Sequence, residues 1–283
     1  MTKNPYRAQK IAFFFLFLAT LLIVVPVGLI IVSIIQKGLP AINWQFLSDM
    51  PRQGMRSGGI FPAIIGTLYL VAGAIIFALP IGLLAAIYLS EYSKANMLTR
   101  IIKLAIVNLA GVPSVVYGLF GLALFVVFFK FGASILSGSL TLGIMILPII
   151  ITTSREALES VPQSFREVSL SLGASKWQTI RHIVLPNAIP GILTGTILGL
   201  GRAAGETAPI LFTVAAFYLP RLPDSVFDQA MALPYHLYVI STQVPNVDEK
   251  IRYGTAFVLL ALVLFMNLVA IIIRYKLRKK KKW

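Results

Sequence analysis

Arg202 and Glu206 are the only charged residues between Ile183 and Pro220, inside the segment "GRAAGETAP" at 201–209. Residues four apart share one face of a helix, so the two side chains are expected to meet. An arginine at the centre of a membrane helix costs roughly 2.5–3.5 kcal/mol to insert, so it faces a partner or an aqueous route. Two chemistries suit the pair. One is an internal ion pair that contributes little net stability and fixes geometry. The other is a pathway, in which the planar guanidinium fork holds an oxyanion and the carboxylate keeps the fork oriented and lets the cargo leave. Thr207 adds a hydroxyl donor, although hydroxyls in membrane helices commonly bond their own backbone. Pro209 is expected to break the helix just beyond the pair and to free backbone groups beside it.

The surrounding composition makes the chain a membrane protein. Of 283 residues, 58% are hydrophobic and 12% charged, about half the charged content of a soluble domain. Ile11–Ile35, Ile60–Ser90, Leu104–Phe129, Phe131–Ser154 and Tyr253–Ile273 carry no charge. About 20 apolar residues span a bilayer. With Ile183–Pro220 the fold class is therefore all-α: a polytopic protein of six transmembrane helices. The first run follows Lys3, Arg7 and Lys10 but exceeds the ~7–15 apolar residues of a signal peptide, and is expected to be retained. Gly111 and Pro113 are expected to distort the third span. Gly191, Gly195 and Gly199 form a small-residue stripe on the fifth, best suited to packing within the same chain.

Numbered with the N-terminus inside, the spans leave 17 of the 25 Lys and Arg residues on the cytoplasmic side. Both termini are accordingly expected in the cytoplasm. The tail "RYKLRKKKKW" reads as a topology anchor that attracts anionic lipid, not as a nucleic-acid arm. Enzyme chemistry finds little support: there is no cysteine, the spans offer one acid, and His182 and His236 fall on opposite sides of the membrane. No metal site or cofactor is expected.

The longest cytoplasmic connection, residues 154–186, has the composition of a folded element. Ser164 and Glu167 have capping-box spacing, predicting a helix from about Phe165 that ends at Gly173 in a left-handed C′ conformation. Ser175 and Gln178 repeat the spacing for a second short helix with Trp177, Ile180 and Ile183 on one face. Two readings fit: an amphipathic hairpin on the lipid headgroups, or a docking element.

Glu167, Val168, Ser169, then Gly173, then Ile183-x-Leu185-Pro186 resembles the EAA loop of ABC-importer permeases, with Val168 and Ser169 replacing the two alanines. "NLAGVPSVVYGLFG" (108–121), "PGILTGTILGLGRAAGETAPILFT" (190–213) and "ALPYHLYV" (232–239) resemble the A-type permease subunit of high-affinity phosphate ABC transporters. That resemblance implies the ABC importer permease fold as one transmembrane domain over residues 1–283, in the bacterial inner membrane. It implies a C-type permease subunit as partner, two ATP-binding subunits below and an extracytoplasmic phosphate-binding protein above. Ser164, Phe165, Glu167, Leu170, Leu172 and Gly173 would then form the ATPase-coupling loop, and Arg202, Glu206 and Thr207 the path of inorganic phosphate. The chain lacks a G-x-x-x-x-G-K-[ST] loop, so hydrolysis would fall to the ATP-binding subunits. Glu206 could accept a hydrogen bond from the protonated oxygen of phosphate, which ionised sulfate lacks. Sulfate or molybdate permeases and a passive or secondary anion transporter are the alternatives; "RAAGETAP" argues against the first two, and the folded loop against the others.

Overall fold

The computed structural model describes residues 5–94 and 96–279. Lys3, Lys280, Lys281 and Lys282 of the charge argument lie outside the described residues. In chain order the helices are α1 (Pro5–Gly38), α2 (Trp44–Ser48), α3 (Phe61–Ile87), α4 (Met97–Ala110), α5 (Ser114–Gly121) and α6 (Ile135–Glu159). They continue as α7 (Gln163–Ser171), α8 (Lys176–Thr179), α9 (Leu185–Gly205), α10 (Ala208–Thr213), α11 (Leu233–Thr242) and α12 (Glu249–Lys279). A two-residue antiparallel ribbon, Pro51–Arg52 against Ser57–Gly58, is the sole sheet among the described residues.

Five segments are long and apolar enough to cross a membrane: Gln9–Ala41, Phe61–Tyr92, Ile135–Glu159, Lys176–Gly205 and Glu249–Leu277. The third expected span differs. It is a pair of helices, Met97–Ala110 and Ser114–Phe128, bent by 102°. Pro113 sits at the N-cap of α5 with φ −57° and ψ 140°, and the residue before a proline is itself driven out of the helical region. The distortion expected at Gly111 and Pro113 is thus a complete break.

The fifth span also has different limits. Ser175 and Gln178 do form the capping box, but the helix they start runs through a π turn at Ile180–Val184 into α9 and is not a separate short helix. The π turn shifts the register, so Thr179, Ile180, Val184 and Ala188 face inward while Trp177 is exposed. At the other end the helix stops at Gly205, well before Pro220.

At the centre, α3 and α6 cross closely. A Cβ on Gly143 would lie 2.6 Å from the Phe77 ring, and one on Gly82 would lie 2.7 Å from Ile150. The glycine stripe of α9 serves the same purpose against α6: a Cβ on Gly191 would lie 2.5 Å from that of Ala157, and one on Gly195 would collide with Thr153. The stripe therefore packs within the chain. Large apolar side chains are exposed along both α1 and the outer face of α12, as lipid contact requires.

Candidate functional site

Arg202 lies in the last turn of α9, and Glu206 follows in extended backbone, φ −77° and ψ 134°. The helix therefore ends before Glu206, and Pro209 does not break it from beyond as expected. Pro209 instead stands in the first turn of α10, where a missing N–H costs nothing. Had α9 continued, the proline would have forfeited a bond to the Gly205 carbonyl and clashed with it. The carboxylate reaches back across this break, and Arg202 Nε donates to Glu206 Oε1 at 3.4 Å. The two side chains keep 29% and 19% of their exposure. Among the described residues the guanidinium donates only from Nε, and its Nη atoms make no hydrogen bond.

Three separate segments meet here. Gly118 of α5 leaves room for α10, since a Cβ there would lie 3.0 Å from the Ala208 carbonyl and 3.1 Å from Pro209 Cα. Tyr117 is buried, donates to the Leu109 carbonyl at 2.8 Å across the α4–α5 break, and lies within electrostatic reach of Arg202. From the other side, Ala232 and Pro234 join Glu206, Ala203 and Thr67 around a cavity of about 10 Å³, room for about one water. Thr67 Oγ1 accepts the Leu233 N–H at 2.8 Å and so fixes α11 in place. The next helical turn holds His236, whose imidazole burial pushes down to about 4, so it is neutral at neutral pH.

The hydroxyls divide by environment. Thr152 and Thr153 donate to the carbonyls of Pro148 and Ile149, four residues back, as membrane-helix hydroxyls do. Thr207 is half-buried and, among the described residues, its hydroxyl makes no such bond. Asn108 is exposed and Ser114 half-buried, both beside the α4–α5 break. Sequence reasoning missed Asn267, whose buried Oδ1 lacks a partner and whose amide would lie 3.3 Å from a Cβ on Gly201. Its signal was a lone carboxamide in the sixth apolar run.

The loop of residues 154–186 is a second centre. Pro162, not a Ser164 capping box, starts α7; the cap has no side-chain hydrogen bond, and Ser164 sits exposed in the first turn. Proline fixes its own φ near −60° and so sets the chain direction without a hydroxyl. Gly173 ends α7 with φ +83°, as its spacing predicted. Phe165 is half-buried and packs on the cluster of Ile87, Leu158, Val161 and Val184. Val168, Leu170 and Leu172 are exposed, Leu172 at 84%, and Glu167 lies beside them in solvent. Arg166 and Glu91, which the spacing argument passed over, are paired beneath the loop at 2.7 Å.

Residues 78–283 match the family described as binding-protein-dependent transport system inner membrane component. The chain is 34% identical over 266 residues to the "Probable ABC transporter permease protein YqgI" of Bacillus subtilis (strain 168), covering 89% of this chain and 90% of that protein. It is 33% identical over 272 residues to the "Probable phosphate transport system permease protein PstA" of Methanocaldococcus jannaschii, covering 95% and 94%. To the "Phosphate transport system permease protein PstA 1" of Mycobacterium tuberculosis (strain H37Rv) it is 36% identical over 227 residues, covering 80% and 73%. Its fold resembles a bacterial ABC transporter that imports alginate, with TM-score 0.60 and 18% identity over 94% of this chain and 98% of that one. It also resembles the MetNI methionine ABC transporter, with TM-score 0.59 and 17% identity over 77% and 94%. A helix break that gathers three distant segments, in an all-α membrane bundle with a folded loop, is thus found in a chain that belongs to the binding-protein-dependent transport system inner membrane component family.

Proposed function

We propose that the chain is the membrane-spanning permease subunit of an ATP-driven phosphate importer. It works as one transmembrane domain, lines the translocation route with a second, C-type permease subunit, and is driven by two separate ATP-binding subunits and fed by an extracytoplasmic phosphate-binding protein. The observation that carries the phosphate chemistry is the incomplete pairing of Arg202. Its link to Glu206 is 3.4 Å, longer than the usual 2.7–2.9 Å of a charge-assisted bond, and among the described residues its Nη donors make no hydrogen bond. A planar fork held by one loose contact can take two oxygens of a passing anion and still release them. Thr207 supplies a further donor, and Glu206 accepts from the protonated oxygen of phosphate. The exposed Val168, Leu170 and Leu172 form the surface that enters a groove on the ATPase.

The direct test is uptake by proteoliposomes containing this chain with the C-type subunit, the ATP-binding subunits and the binding protein. Phosphate should accumulate only with ATP inside the compartment holding the ATPase, and excess sulfate should not compete. Equal inhibition by sulfate would count against the phosphate assignment.

The same reading places both termini in the cytoplasm. Ser225 and Ser171 are both exposed in the chain. In sealed cells Ser225→Cys should react with an impermeant thiol reagent from outside, and Ser171→Cys should not. Outside labelling of Ser171→Cys would reverse the orientation.

A further inference from the structure

Among the described residues, Arg166–Glu91 is the shortest and least exposed ion pair, 2.7 Å with side chains 12% and 8% exposed. It joins residues 75 apart in sequence. Arg166 grips Glu91 with both arms of its fork, Nη2 to Oε1 at 2.7 Å and Nε to Oε2 at 3.3 Å. The same guanidinium donates to the carbonyls of Leu158 at 2.9 Å and Val161 at 2.7 Å. Leu158 stands in the last turn of α6 and Val161 just beyond its end, where a cation is favoured. One side chain of α7 thereby seizes the cytoplasmic ends of both α3 and α6.

Glu91 lies in a π turn, Tyr88–Tyr92, that closes the second span, and such turns recur at functional sites. The adjacent Tyr92 makes a second tie, with the Lys176 ammonium 4.9 Å from its ring centroid. Both arms of the cytoplasmic loop, α7 through Arg166 and α8 through Lys176, therefore grip the same π turn. We propose that Arg166 and Glu91 are positioning residues, the joint that carries movement of α7 into α3 and α6 and from α6 into α9. The inference rests on the importer reading above and adds to it the route by which ATPase movement enters the bundle. A buried ion pair adds little net stability, but its bidentate geometry fixes direction as well as distance. From α6 the movement reaches α9 through the close Gly191 and Gly195 contacts, within a few helical turns of Arg202.

The test uses the assembled transporter with Glu91→Gln, which keeps size and an acceptor and loses the charge, and independently with Arg166→Lys. Both should assemble and hydrolyse ATP, while phosphate imported per ATP hydrolysed falls about tenfold, within the usual range of a coupling energy. Glu91→Asp, which keeps the charge, should recover part of that ratio. Amide exchange gives a readout independent of transport. Nucleotide binding should change protection at 163–173 and at 86–92 in the parent complex, but only at 163–173 in Glu91→Gln. A parent complex that moved no phosphate would count against the phosphate reading alone, because the exchange pattern still reports the joint. An unchanged import ratio in both variants, protection passing to 86–92 as before, or failure of both variants to assemble would overturn the joint.

Discussion

Arg202→Lys is expected to fold, insert and lose most phosphate uptake. Lysine keeps the charge but replaces the planar fork with a point donor that cannot pair two oxygens at once. Hydrogen bonds to charged groups are worth roughly 1.5–3 kcal/mol, so the loss corresponds to about 10–100-fold in rate. Uptake assays should find the defect in transport of a normally abundant membrane protein. The informative companion is the exchange Arg202→Glu with Glu206→Arg. If the pair only holds the bundle together, reversing it preserves the attraction and restores uptake. If the fork handles the anion, the exchange moves it from the last turn of α9 onto the extended break, about 5–6 Å away, and transport stays poor. Exchanged protein that imports phosphate at the parent rate, and still prefers it over sulfate, would sink the pathway role. Truncating Glu206 alone discriminates less well, since it leaves a partly buried arginine without its partner and harms assembly under either reading.

The α9–α6 contact should respond very differently at two glycines four residues apart. A Cβ at Gly195 overlaps Thr153, coming within 2.7 Å of that residue's Cβ, which is held by its own backbone and cannot rotate aside. A Cβ at Gly199 would meet only ordinary contacts, 3.5 Å from Ile146 and 3.6 Å from Ile150. Gly195→Ala should therefore separate the helices and cost about 1–3 kcal/mol, the usual range for overpacking. Gly199→Ala should stay within about 0.5 kcal/mol of the parent. Thermal unfolding of the purified assembly, read alongside membrane abundance, separates them. Equal melting temperatures for the two variants would mean that α9 does not sit on α6 as closely as described. Because Arg202 lies two turns beyond Gly195, the weakened variant should also transport less than its abundance accounts for.

Arg166 and Arg202 show how little residue type says about role. Both stand near acids in an apolar protein, yet Arg166 has four hydrogen bonds, two to a carboxylate and two to the Leu158 and Val161 carbonyls. Arg202 has one long bond and spare donors, among the described residues. The first is saturated and holds elements together; the second keeps donors unused, as the proposed anion route requires.

What the amino-acid sequence by itself determined is the one-dimensional physics. Charge-free runs of bilayer length dictate membrane helices, because backbone groups in lipid must bond within their own segment. The Gly173 helix end and the Ser175–Gln178 cap were legible because both are local, set by contacts within a few residues. The intramembrane Arg202–Glu206 pair was equally legible from its cost. Tertiary structure alone decided where helices actually stop: the 102° bend at α4–α5, the end of α9 at Gly205, and the merging of α8 with α9. A proline says that an ideal helix cannot continue through it, but whether the chain breaks before or after depends on what packs there, here α5 against α10. Likewise, Ser164 had the spacing of a cap and went unused because Pro162 already directed the chain. The Glu91–Arg166 pair could not be read from spacing at all: its partners are 75 residues apart, and only the close crossing of α3 and α6 brings them within 2.7 Å.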